Sequence, residues 1–140
     1  MARLLEFSSN HPWLVGTFVT LLVALFYTVA RGARGNALSP AEGVLLLNRE
    51  NALPIDLRAE ASFKAGHIIN AVRVEPGQID DAARKLEKHR DRPLLVYCET
   101  GLSSGKAAAG LRAAGFPRVF ELRGGISAWR ADNLPVESGK

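Results

Sequence analysis

The hydrophobic pattern breaks sharply near the start of the chain. Trp13 to Ala30 (WLVGTFVTLLVALFYTVA) is a run of eighteen residues without a charge. At about 1.5 Å per residue a helix of this length spans about 27 Å, close to the roughly 30 Å hydrocarbon core of a bilayer. Trp13 and Tyr27 lie near its two ends, where amphipathic rings favour the headgroup level. Arg31 and Arg34 follow at once, whereas the leader 1–12 offers only Arg3 and the terminal amine against Glu6. The positive-inside rule therefore predicts one transmembrane helix over 13–30, with the N-terminus outside and the rest in the cytoplasm. Two other readings remain, a cleaved signal peptide ending at Thr28-Val-Ala30 and a buried core helix. The almost uncharged leader and the length of the block weigh against the first, and its unbroken apolar character against the second.

Residues 31–38 (RGARGNAL) read as a short flexible linker. Beyond it the pattern changes to short, alternating elements. Ser39-Pro40-Ala41-Glu42 combines an N-cap, a proline at the first helical position and a capping-box Glu, so a helix is expected over 41–47. Leu53 to Leu57 reads as a strand, 59–65 as a short helix ended by Gly66, and Ala71 to Val74 as a second strand. Pro76-Gly77 marks a turn, and Ile79, Ala82, Ala83 and Leu86 set the buried stripe of an amphipathic helix over 79–89. Leu94 to Tyr97 is an apolar run of the length of a buried strand, and the Ala-rich segment 106–114, closed by Gly115, favours helix. Arg118 to Leu122 is a further strand, Gly124-Gly125 a tight turn, and 126–131 a last helix carrying Trp129. Repeated strand–helix alternation over 39–137 predicts an α/β domain, its largely parallel sheet flanked by helices on both faces.

Composition changes this picture only in part. The net charge of +4 is modest, and the cluster from Arg84 to Arg92 lacks the interleaved aromatics of a nucleic-acid surface, so no nucleic-acid partner is expected. A single cysteine excludes an internal disulfide and a multi-cysteine zinc site.

That cysteine is the chief candidate for chemistry. Cys98 stands where the Leu94 strand hands over to the Ala-rich helix, and small or polar residues follow it. The first turn of a helix carries unpaired N–H groups and partial positive charge, and both favour thiolate, the nucleophilic form. The bland alternative is a free cysteine buried as a small hydrophobe. In a parallel sheet, ligands bind beyond the carboxyl ends of the strands. Asp56 and Arg58 end another strand, which gives them a reason to meet Cys98.

Four stretches carry a family resemblance: Ile55-Asp-Leu-Arg58, Phe63-Lys-Ala-Gly66-His67-Ile68-Ile-Asn-Ala71, Val96-Tyr-Cys98-Glu-Thr-Gly101 and Leu122-Arg-Gly-Gly-Ile126-Ser-Ala-Trp129. In this order they resemble the successive signatures of a single-domain rhodanese over nearly all of 39–137. With its apolar N-terminal block, the whole chain resembles the small membrane-anchored bacterial rhodaneses of the YibN type, which implies residence in the inner membrane. The resemblance implies a rhodanese-like fold and a sulfurtransferase that carries sulfane sulfur as a persulfide on Cys98, with no metal and no organic cofactor. Its partners would be a sulfane-sulfur donor, a thiol acceptor, the lipid bilayer and a membrane protein.

The loop Glu99, Thr100, Gly101, Leu102, Ser103 and Ser104 is the expected persulfide cradle. Its N–H groups would hold the anion as a helix N-terminus holds phosphate, Gly101 would supply the positive φ, and Ser103 and Ser104 would add hydroxyl donors. Asp56 and Arg58 are expected to brace it. Many family loops read Cys-x-x-Gly-x-Arg, and here Ser103 stands in the arginine's place. Glu99 adds a negative charge beside the nucleophile, which is expected to raise the thiol pKa and repel a dianion, with Lys106 compensating in part. These departures predict weak activity with thiosulfate and a protein persulfide or small thiol persulfide as donor.

Other classes fit less well. A Cys-x5-Arg phosphatase needs arginine where Ser104 stands. Gly101 to Lys106 is one residue short of a P-loop and has Ala107 in place of the Mg²⁺-binding hydroxyl. A redox sensor would want a resolving cysteine. A catalytically weak module that docks a membrane or sulfur-relay partner is the remaining alternative.

Overall fold

A computed structural model describes residues 10–33 and 35–139, with side chains from 29 to 33 excluded. The chain divides into two units between Gly35 and Asn36.

The first unit is the helix α1 (Pro12–Ala33). Trp13, Phe18, Leu21, Leu25 and Phe26 are all exposed on it, so its apolar side chains point outward rather than into a core of its own. Thr17 and Thr20 donate their hydroxyls to carbonyls one turn back, at 2.8 Å each, which pairs these side chains with the backbone of their own helix. The expected membrane-spanning helix is not obtained as such: among the described residues, no helix is long and apolar enough to cross a membrane. The leader 1–9 lies outside the described residues.

The second unit is a five-stranded sheet in the order β1-β5-β4-β2-β3, with every pair parallel. Its strands are β1 (Ala37–Leu38), β2 (Leu53–Asp56), β3 (Val72–Arg73), β4 (Leu94–Tyr97) and β5 (Val119–Leu122). The helices are α2 (Pro40–Glu50), α3 (Glu60–Ala65), α4 (Ile79–Lys85), α5 (Ser104–Ala113) and α6 (Gly125–Ala131). β1 lies within the stretch expected as flexible linker. Its two residues pair with Glu121 and Leu122 of β5, a contact set by tertiary structure that a two-residue pattern does not announce. The predicted helix over 79–89 is also divided, into α4 and a 3₁₀ turn at Glu87–His89.

Local chemistry accounts for the element ends. Ser39 caps α2 by accepting from the Glu42 N–H, and the Glu42 carboxylate accepts from the Ser39 N–H at 2.7 Å, a complete capping box. Asn51 closes the same helix in the left-handed conformation, with φ 52°.

The sheet is buried on both faces. Leu94, Val96 and Cys98 point to one side, against Ala82, Ala83 and Leu86 of the α4 segment and Ala108 and Leu111 of α5. Leu95 and Tyr97 point to the other, against Leu122, Ile126 and Trp129. Because the strands run parallel, β2 and β4 end on the same side of the sheet. Asp56 pairs in register with Tyr97 there, which brings Arg58 and Cys98 to one rim.

Candidate active site

Cys98 follows the last residue of β4 and is buried at 5% exposure. The loop after it curls back so that the Gly101 N–H donates to Cys98 Sγ at 3.0 Å. Gly101 has φ +87°, and a Cβ there would meet Gly124 N at 3.1 Å, so glycine serves both the curl and the close approach. A second element fixes the loop from behind. The first N–H groups of α6 donate to it, Ile126 to the Cys98 carbonyl at 2.9 Å and Ser127 to the Glu99 carbonyl at 3.1 Å. That approach is close enough that a Cβ on Gly125 would sit 2.4 Å from the Cys98 carbonyl oxygen.

The electrostatics favour thiolate. Burial pushes the Cys98 thiol pKa up, but the Ser103 side chain and the N–H groups of Ser103, Gly101 and Thr100 outweigh it, and the result lies below the ordinary thiol value. The net direction is thus opposite to the rise expected from a carboxylate at position 99. The Glu99 carboxylate meets Arg58 Nη1 at 3.3 Å and Arg130 Nη1 at 3.9 Å, so its charge is offset by arginines that sequence adjacency does not reveal.

Arg58 and Asp56 form a buried brace. Arg58 Nη2 and Nε donate to Asp56 at 2.8 and 3.1 Å, and the Arg58 N–H adds a third bond at 2.8 Å. Arg58 Nη2 also donates to the Gly66 carbonyl at 2.6 Å, and its side chain is only 5% exposed. The Tyr97 hydroxyl donates to Asp56 Oδ2 at 2.8 Å and accepts from the Ile68 N–H at 3.1 Å. Burial, reinforced by the Asp56 carboxylate, holds the Tyr97 pKa well above its ordinary value and keeps the phenol a donor.

The remaining expected residues separate. Ser103 lines a 510 Å³ cleft together with Cys98, Glu99, Arg58, Ser62 and Arg130. Thr100 and Leu102 are exposed on the loop, Leu102 at 91%. Ser104 is buried, and its hydroxyl faces the Gly101 carbonyl at 3.2 Å and Glu121 Oε1 at 3.4 Å. It braces the loop instead of serving the sulfur, contrary to the expected donor role. Lys106 lines a neighbouring groove with Leu102, Ile79 and Asp80 rather than the Cys98 cleft, because the first turn of α5 carries it to that side. Its compensating role is not supported by this placement. Arg130 is the residue missed from sequence. It arrives from α6, far along the chain, and no local spacing marks it. Its Nη2 donates to the same Gly66 carbonyl at 3.3 Å, and its side chain is 44% exposed. Among the described residues no group of three or more His, Cys, Asp or Glu side chains gathers as metal ligands would.

A cysteine thiol that accepts from a backbone N–H thus stands at the carboxyl end of a parallel sheet, facing a cleft with arginine at its rim. The chain belongs to the rhodanese family: the rhodanese-like domain matches residues 39–132. It is 33% identical over 143 residues to the uncharacterized protein YibN of Escherichia coli, covering all of both chains. It is 36% identical over 101 residues to the thiosulfate sulfurtransferase GlpE of Pseudomonas putida, covering 72% of this chain and 89% of that one. The fold is also that of a rhodanese-related protein from Thermoplasma volcanium, with a TM-score of 0.64 at 24% identity over 74% of this chain and 98% of that one.

Proposed function

We propose that this chain is a sulfurtransferase that carries sulfane sulfur through a Cys98 persulfide to a thiol or another nucleophilic acceptor. The observation that carries this reading is the thiol itself, with the Gly101 N–H 3.0 Å from Sγ and a lowered pKa. The Cys98 thiolate attacks the outer sulfur of the donor, the donor's S–S bond breaks, and its electron pair leaves with the inner sulfur. With thiosulfate the leaving group is sulfite. With a thiol persulfide it is the parent thiolate, and the transferred sulfur keeps its oxidation state. The persulfide anion then rests on the N–H groups of the loop until an acceptor thiolate takes the outer sulfur.

Asp56 and Arg58 act here as braces. Arg58 is committed to Asp56, Glu99 and Gly66, which leaves it poorly placed to meet a donor anion directly. With Ser103 on the loop in place of arginine, thiosulfate is the weaker donor.

The domain works in this proposal at a membrane, tethered by the apolar segment 13–30 and facing the cytoplasm. Support comes from the uncharged run to Ala30, the arginines that follow it and the exposed apolar side chains of α1.

Steady-state sulfur transfer to cyanide, from thiosulfate and from a thiol persulfide, tests the enzyme reading. Turnover with both donors, faster with the persulfide and lost in Cys98→Ser, is expected. Transfer that persists in Cys98→Ser overturns it, and no transfer from any donor favours the docking module instead.

A further inference from the structure

The cleft beside Cys98 is ringed by charges of both signs in unequal states of engagement. Arg58 is buried and its donors are taken up by Asp56, Glu99 and Gly66 at 2.6–3.3 Å. Arg130 is the looser cation: it is 44% exposed, reaches Gly66 O at 3.3 Å and stands 3.9 Å from Glu99 Oε1, beyond hydrogen-bond length. Glu99 is 53% exposed, and its second oxygen is the one held by Arg58. A carboxylate and a guanidinium thus make a loose ion pair at the mouth of the cleft that Cys98 lines, with the Ser127 hydroxyl also donating to Glu99 Oε1 at 3.5 Å. A ligand bearing both charges can replace their mutual contact. A Cβ at Gly66 would stand 3.2 Å from Arg130 Nη2, so the guanidinium packs directly on this glycine.

Such a pair suits a ligand carrying both charges on substituents of one carbon. An inorganic dianion gains from Arg130 but is opposed by Glu99. An α-amino acid satisfies both, with its carboxylate on Arg130 and its ammonium on Glu99. We infer that Glu99 and Arg130 form a recognition pair that selects an α-amino-acid persulfide as the sulfur donor. The inference rests on the Cys98 persulfide reading and adds the donor class and the two residues that choose it. The step balances: the Cys98 thiolate bonds to the terminal sulfur of the hydropersulfide R–S–SH, the R–S bond to that sulfur breaks, and R–S⁻ departs with the electron pair. The proton on the transferred sulfur passes to the departing R–S⁻, giving R–SH and the Cys98 persulfide anion, and no oxidant or reductant takes part.

Truncated donors test the pair. Cysteamine persulfide lacks the carboxylate, 3-mercaptopropionate persulfide lacks the ammonium, and cysteine persulfide carries both. The full-length wild type is expected to prefer cysteine persulfide over each truncated donor by about tenfold in kcat/KM, the effect of one charge-assisted hydrogen bond. Arg130→Gln should erase the preference over cysteamine persulfide alone, and Glu99→Gln the preference over 3-mercaptopropionate persulfide alone, with Arg130→Lys restoring part of the first. A merely structural role would lower all three donors together and leave the ratios unchanged. Sulfur transfer to Cys98 with unchanged ratios in both variants overturns this inference and leaves the persulfide reading intact. No adduct on Cys98 from any of the three, or from neutral dimethyl trisulfide, overturns both.

Discussion

At the scale of single residues, a hydrogen-bonded thiolate has a measurable signature. The N–H groups and the Ser103 side chain that outweigh burial at Cys98 put its pKa below that of a free thiol. Alkylation by iodoacetamide should therefore rise with pH to a midpoint below that of the same cysteine in the urea-unfolded chain. A midpoint at or above the unfolded value would show that burial wins. The sign for stability follows. A folded pKa depressed below the unfolded one stabilises the fold above the unfolded thiol value, and this increment is lost as pH falls through the folded one.

The Asp56–Arg58 brace is the second residue-scale device. Removing one partner leaves the other charge buried without its counterpart, so Arg58→Ala should cost about 3–5 kcal/mol in chemical denaturation. Arg58→Lys should recover only part, because a point charge cannot make the paired bonds that Nε and Nη2 make to Asp56. Equal stability of Arg58→Ala and wild type would contradict the brace.

At the scale of elements, the α6 N-terminus is what aims the Cys98 loop. Its first N–H groups take the Cys98 and Glu99 carbonyls, and Gly125 permits the approach with φ +62°. Gly125→Ala forces a Cβ to 2.4 Å from the Cys98 oxygen in a backbone region costly to L-residues, and should lose at least about 2 kcal/mol together with sulfur transfer. Gly77→Ala is the matched control, since its Cβ meets nothing within 4 Å. Near-equal melting temperatures for the two variants would remove α6 from the account.

The elements legible in the sequence are those with local causes. β4 coincides with the apolar run Leu94–Tyr97, and the Ser39–Glu42 capping box starts α2. β1 was not legible, because two residues gain a strand only by meeting β5. The candidate site divides in the same way. Cys98, Gly101, Asp56 and Arg58 carry their chemistry in short motifs. Arg130 and the neutralising partners of Glu99 come together only through tertiary packing. Lys106 shows the converse: it is close to the thiol in sequence, yet it lines the groove next to the Cys98 cleft.

At the scale of the whole molecule, the proposal joins a sulfur-carrying domain to an apolar segment of eighteen uncharged residues. Membrane fractionation of the full chain with a C-terminal tag should place it in the membrane pellet, and protease should reach the tag only after the membrane is opened. Recovery in the soluble fraction would contradict the anchor, and digestion from the outer face would contradict the orientation. A tether would confine sulfur delivery to acceptors at the bilayer surface, which gives a persulfide at the mouth of an exposed loop access to thiols on membrane-associated chains.

If Cys98 itself carries the sulfur, the intact mass of the full-length protein records it after incubation with a sulfane donor. A gain of about 32 Da, one sulfur atom, is expected on Cys98, removed by cyanide or a thiol and absent from Cys98→Ser. An unchanged mass with every donor tried, or a gain that survives in Cys98→Ser, would contradict it.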